Sequence, residues 1–143
     1  MLHDLRRYGF TKEKPFAIGR NEKRMTDYAN ANNITLGSKS IYFTAKSIAH
    51  SNRASKERKR LTISARSYED FPYKRRNMDL YWDGDSFIYT DYKDKFIIKP
   101  NYEIKIKTTQ NGKKHVKKRK VCLVTTGKVK NAREFTLARY TKV

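Results

Sequence analysis

The chain has 143 residues, with 34 Lys+Arg against 14 Asp+Glu, a formal net charge of +20 at pH 7, and 10 Tyr, 7 Phe and 1 Trp. That length suits one domain, residues 1–143, and the aromatic content argues for a packed core against pure disorder. So large an excess of positive charge exceeds what solubility needs, so the expected partner is a polyanion or an acidic protein; without a long apolar run, no membrane span is expected.

In chain order, the first part, to about residue 78, reads as helix-compatible. Asn21 to Ala31 suits one helix after Gly19, and Thr44 is a plausible N-cap for a second helix running through His50. From about residue 79 strands take over. Leu80 to Trp82 and Phe87 to Thr90 flank Asp83-Gly84-Asp85, a tight hairpin signal. Lys95 to Lys99 and Tyr102 to Lys107 flank Pro100-Asn101, which reads as a turn. Asn111-Gly112 turns into a strand around Val116 to Thr126, and Gly127 to Ala132 leads to a last strand, Glu134 to Thr141. The expected fold is α+β: N-terminal helices packed on an antiparallel meander of about five strands.

Few motifs of established chemistry occur. Cys122 lies in the apolar run VCLV as a buried thiol would, and no disulfide framework is possible within the chain. No Walker loop, GxGxxG, GxSxG or Cys/His metal-ligand spacing is found, so no cofactor and no metal is expected. Asp83, Asp85, Asp91 and Asp94 cluster around two turns and read as ordinary turn aspartates, a hard-cation site being the lesser alternative. The start, MLHDLRRYGF, has no apolar signal-peptide core.

Two basic regions stand out. Around Asn111-Gly112, Lys105, Lys107, Lys113, Lys114, Lys117, Lys118, Arg119 and Lys120 follow one another without an intervening carboxylate, an arm suited to tracking phosphates. The bland reading is a hairpin whose edge lysines prevent aggregation. The second is TAKSIAHSNRASKERKR. On a helix, Lys46, His50, Arg53 and Glu57 form one stripe, with Lys56, Arg58, Lys59 and Arg60 adding phosphate-binding charge. There His50 sits between core and solvent beside two cations that favour its neutral, proton-accepting form; a boundary histidine bonded to a neighbour is the plain alternative. Thr125, Thr126, Gly127 and Lys128 offer hydroxyls, a small residue and a cation at a strand end. On the expected last strand Arg139 follows Phe135 and Leu137 on one face, a charge that needs an anion or an exit to solvent. Glu134 and Tyr140, on the other face, could each serve as acid or base.

The succession ITLGSKSIYFTAKSIAHSNRASK, FPYKRRNMDLYWD, KFIIKPNYEIKIK, VCLVTTGKV and AREFTLARYTKV resembles the phage and polymorphic-toxin members of the barnase/EndoU/colicin/RelE-like nuclease superfamily. The likeness runs from Ile34 to Val143 and is one of layout. It implies a compact α+β domain that cuts RNA without metal, the 2′-OH attacking its own phosphate while side chains take and return protons and cations stabilise the phosphorane. By that resemblance the helix histidine falls on His50, with Lys46 and Arg53 beside it, the strand-end polar residues on Thr125, Thr126 and Lys128, and the last-strand cation on Arg139.

Two classes of function follow. One is a metal-independent ribonuclease toxin domain acting in the cytoplasm on tRNA or another structured RNA. It would be delivered as part of a secreted or phage protein and neutralised by an acidic immunity or antitoxin protein. The other is a non-enzymatic RNA- or DNA-binding protein in which Tyr81, Trp82 and Tyr89 stack bases while lysines hold the backbone.

Overall fold

The computed structural model describes residues 16–44 and 65–143. In chain order these form β1 (Phe16–Arg20), α1 (Lys23–Ala31), β2 (Ser40–Phe43), α2 (Ala65–Lys74), a 3₁₀ turn (Arg75–Asn77), β3 (Asp79–Trp82), β4 (Phe87–Thr90), β5 (Asp94–Gln110), β6 (Lys113–Lys128), a second 3₁₀ turn (Ala132–Thr136) and β7 (Thr141–Lys142). The strands make a single 7-stranded sheet in the order β1-β2-β6-β5-β4-β3-β7. The class is α+β, as expected, but the sheet is larger than a five-strand meander and is mixed. β3 to β6 form the antiparallel meander, β2 adds in parallel to β6, β1 pairs antiparallel with β2, and β7 pairs antiparallel with β3.

Two layers cover the sheet's faces. On one, Met25 and Ala29, one helical turn apart on α1, and Phe71 of α2 pack with Ile41, Phe43, Leu80, Phe87, Tyr89, Phe96, Ile98, Cys122 and Val124. Phe71 stacks on Phe96 with ring centroids 4.1 Å apart and meets Tyr89 edge-on at 5.5 Å. Burying each such side chain is worth about 1.5–3 kcal/mol, so this face holds most of the stabilising apolar burial. On the other face Phe135 stacks on Tyr81 at 4.9 Å, joined by Ile88, Ile97, Val129 and Tyr140.

Three expectations need correction. Glu134 to Thr141 is not a strand. Asn131 accepts the Arg133 amide with its side chain and the Glu134 amide with its carbonyl, coiling the chain into a 3₁₀ turn that drops Phe135 onto Tyr81. Only Thr141–Lys142 then pairs with β3. Pro100-Asn101 is not a turn either. β5 runs straight through it with a one-residue bulge, since Lys99 faces Leu123 and Tyr102 faces Val121. Proline fits there because β4 ends at the Phe87–Ile98 pair, so the missing amide costs no ladder bond. Finally, the N-terminal part contains strands besides helix. β2 shows the alternation of buried Ile41 and Phe43, but its partner β6 is remote in sequence.

The bulge has a consequence for the faces. Before it, Phe96 and Ile98 point to the helical layer; after it, Ile104 and Ile106 point to the opposite face, where they join Val121, Leu123 and Tyr42. On β5, Lys105 and Lys107 alternate with them and take the face of the helical layer.

Candidate functional site

Beyond the bulge, β5 and β6 leave the body as a two-stranded arm, Tyr102 to Lys120, closed by Asn111 (φ 52°) and Gly112 (φ 74°). Two consecutive positive φ values are what the tightest hairpin turn demands, and Asn-Gly meets that demand at least strain. The register pairs Glu103 with Lys120, Ile104 with Arg119, Lys105 with Lys118, Ile106 with Lys117, Lys107 with Val116, Thr108 with His115, Thr109 with Lys114 and Gln110 with Lys113. Each rung but one carries a Lys or Arg, and His115 occupies the exception. Glu103, at the base, is the arm's sole carboxylate. All of these cations are exposed, and among the described residues Lys105, Lys107, Lys113, Lys114, Lys117, Lys118 and Lys120 make no ion pair. Lys105 and Lys118 stand directly opposite each other, an arrangement of like charges that costs the ribbon roughly 0.2–1 kcal/mol when no counter-charge is present.

The arm is held firmly at its root. Ile104, Val121 and Leu123 are buried together with Tyr42 and Ile106 packed on them. Arg119 spans to β2, its guanidinium 5.0 Å from the Tyr42 ring centre and donating to the Tyr42 hydroxyl at 2.9 Å. Gly37 donates its amide to the Pro100 carbonyl at 2.7 Å, and it lies so close to the arm that a Cβ there would fall 2.9 Å from Asn101 Oδ1, the Lys120 carbonyl carbon and the Val121 nitrogen. Cys122 is buried, its thiol donating to the Ser38 and Pro100 carbonyls.

The expected Thr125, Thr126 and Lys128 group does not assemble into one site. Strand alternation sends Thr125 and Thr126 to opposite faces, and Thr126 is 2 % exposed inside the helical-side layer. Lys128 is engaged by Asp94 at 2.7 Å. Arg139, placed on a strand by the sequence, lies instead in the segment after the 3₁₀ turn, where its guanidinium stacks on Tyr140 at 4.8 Å and donates to the Tyr140 hydroxyl at 3.0 Å. That hydroxyl donates to Glu134 at 3.2 Å, and the Glu134 carboxylate also holds Lys95 Nζ at 3.3 Å. Burial raises the Tyr140 pKa, with Arg139 opposing and Glu134 adding to the rise. Lys95, Glu134, Tyr140 and Arg139 thus form one polar array with a proton donor, a carboxylate and two cations. Lys95 is not identified by the sequence, because its partner Glu134 lies 39 residues away along the chain.

A second hydroxyl chain lies nearby. Tyr92, held at φ 68°, donates to Asp79, and Tyr81 and Tyr92 share a hydrogen bond of 2.7 Å. The bond to Asp79, then that to Tyr81, pushes the Tyr92 pKa well above the ordinary tyrosine range. Asp83 and Asp91 spend their carboxylates on turns, each accepting two backbone amides. Among the described residues no group of three or more His, Cys, Asp or Glu could hold a metal, and no helix is long and apolar enough to cross a membrane. Of the proposed base-stacking aromatics, Tyr89 is fully buried and Tyr81 is 9 % exposed, so neither offers a free face.

Lys46, His50 and Arg53, with Lys56, Arg58, Lys59 and Arg60, lie outside the described residues. No family model, no curated protein and no solved structure matches this chain.

Proposed function

We propose that this protein binds nucleic acid through the β5–β6 arm. The observation that carries the reading is the ladder of cations from Lys120 to Lys113, exposed and free of ion pairs among the described residues, with only Glu103 opposing it. A bare ribbon of like charges is costly in water and gains when phosphates replace the missing counter-ions, releasing cations from the nucleic acid. The edge-protection reading explains lysines on the arm's two free edges but not the near-absence of carboxylates beside them, Glu103 being the sole one. The test is fluorescence anisotropy of labelled RNA and DNA oligonucleotides with wild type and with Lys105, Lys107, Lys114 and Lys118 replaced by Gln. Tight, salt-sensitive binding lost in the variant supports the reading; binding unchanged in the variant refutes the arm as the interface.

A second reading, the metal-independent ribonuclease, is favoured by the Lys95, Glu134, Tyr140 and Arg139 array, which holds the residue types that in-line attack by a 2′-OH requires: a proton acceptor, a proton donor and cations for the phosphorane. In that reading His50, with Lys46 and Arg53, supplies a further acid–base group, tRNA or another structured RNA is the substrate, and an acidic immunity or antitoxin protein is the natural inhibitor. It ranks second because Lys95 and Lys107 are 12 residues apart along one strand, about 40 Å at the usual strand rise, so the array and the arm engage different parts of a long ligand. Incubation with total RNA in EDTA decides. Discrete products from wild type that vanish in His50→Ala and Glu134→Gln support cleavage; intact RNA from active binding protein refutes it.

A further inference from the structure

Resting on the nucleic-acid reading, we infer that the arm is built to lie between two phosphate backbones, one against each of its faces, so that its ligand is double-stranded rather than single-stranded nucleic acid. The argument comes from how the cations are distributed between faces. Side chains on successive rungs of a ribbon point to alternate sides. The register therefore puts Lys105, Lys107, Lys114, Lys118 and Lys120 on the face continuous with Cys122, and Lys113, Lys117 and Arg119 on the face continuous with Val121. The Val121 face packs Ile104 and Ile106 on Tyr42 at the root, where Arg119 also binds Tyr42, but towards the tip Lys113 and Lys117 stand clear of the body, and every one of these cations is exposed.

A ligand that passes once over the ribbon, such as a single strand, neutralises one face and leaves the other face's cations in water, close to like charges and without reward. Two backbones neutralise both. A duplex supplies them: each strand carries one phosphate per ~3.4 Å of helix axis, and the rungs that share a face of the ribbon recur every ~6.8 Å, so each face meets about every second phosphate of one strand, with a cation on every rung except the one held by His115. The tip carries the turn Asn111-Gly112, with nothing within 4 Å of where a Gly112 Cβ would stand, so the free end of the two-stranded ribbon is open. The root, by contrast, is clamped by Gly37, Tyr42 and the bulge. A narrow, rooted ribbon charged on both faces suits entry between two walls and wastes half its charge on one.

The experiment compares a fluorescein-labelled duplex, as DNA and as RNA, with either of its separate strands. It uses wild type, a variant of one face (Lys105, Lys107, Lys114 and Lys118 to Gln) and a variant of the other (Lys113→Gln with Lys117→Gln). These side chains are exposed, so circular dichroism should show the fold unchanged. The expected result is tighter binding to a duplex than to its strands. The slope of log K against log salt on duplex DNA should shrink by about 3.6 in the first variant and about 1.8 in the second, with DNA and RNA duplexes telling which backbone geometry the ribbon prefers. Strands bound as tightly as the duplex, or a slope that changes in only one variant, overturn the two-backbone arrangement while leaving nucleic-acid binding intact. Failure to bind any of the probes overturns both.

Discussion

Replacing Gly37 by Ala tests how the arm is rooted. A Cβ at this position would come within 2.9 Å of Asn101 Oδ1, the Lys120 carbonyl carbon and the Val121 nitrogen. The Asn101 side chain can rotate away, but the other two atoms belong to the β6 backbone at the point where Pro100 bulges β5 against it. Relief requires the loop before β2 to retreat, which stretches the 2.7 Å hydrogen bond from Gly37 to Pro100. Overpacking of this kind costs about 1–3 kcal/mol, while the alanine restrains the unfolded chain and returns roughly 0.4–1 kcal/mol. The net expectation is a loss of about 1–2 kcal/mol, read as a lower urea midpoint at unchanged m. Gly127→Ala is the matched control, since its Cβ would meet only the Lys95 side chain, Cε at an ordinary 3.5 Å and Cγ at 3.9 Å. If Gly37→Ala proves as stable as Gly127→Ala, the close approach that clamps the arm is not there.

Three further outcomes follow from the same geometry. Lys118→Glu turns the Lys105–Lys118 rung from like to opposite charge; arm amides should exchange more slowly, by roughly 0.2–1 kcal/mol of added protection, while nucleic-acid affinity falls. Phe71→Ala removes the ring stacked on Phe96 and should cost about 3–5 kcal/mol in denaturant unfolding; a loss below about 1 kcal/mol would mean that α2 does not seal the core. Tyr89 is raised above the usual tyrosine range, by burial above all and then by the Glu22 carboxylate, and Tyr92 is raised by its bond to Asp79. Tyrosine is neutral when protonated, so a raised folded pKa means that the native state holds the proton more tightly. That stability is fully present below the unfolded value of about 10 and is lost as pH climbs above it. Unfolding free energy should therefore be flat to about pH 9 and fall beyond, less steeply in Tyr89→Phe; an identical alkaline slope in the variant would contradict it.

What could be read from the chain depended on how local the determinant was. The hairpins at Asp83-Gly84-Asp85 and Asn111-Gly112 and the helix ending at Ala31 are set by residues close in sequence, and they stand where the sequence puts them. The cationic ladder was legible as a charge run. The continuous β5 was not, because proline usually ends a strand and only the end of β4 pairing two residues earlier makes Pro100 harmless. The 3₁₀ turn at Ala132–Thr136 was hidden behind an apparent strand pattern, Phe135 and Leu137, that the Asn131 cap and the Tyr81 ring override. For that reason Arg139, Tyr140 and Glu134 meet in one array rather than on two faces. Lys95 joins them only through its ion pair with Glu134, 39 residues away in the chain.

The measurement that bears most directly on the central claim is the salt dependence of nucleic-acid binding by the wild-type chain. With about six arm lysines on phosphates, log K should fall against log salt with a slope near −5 on duplex DNA. A slope near zero, or no binding at low salt, would contradict the arm's role.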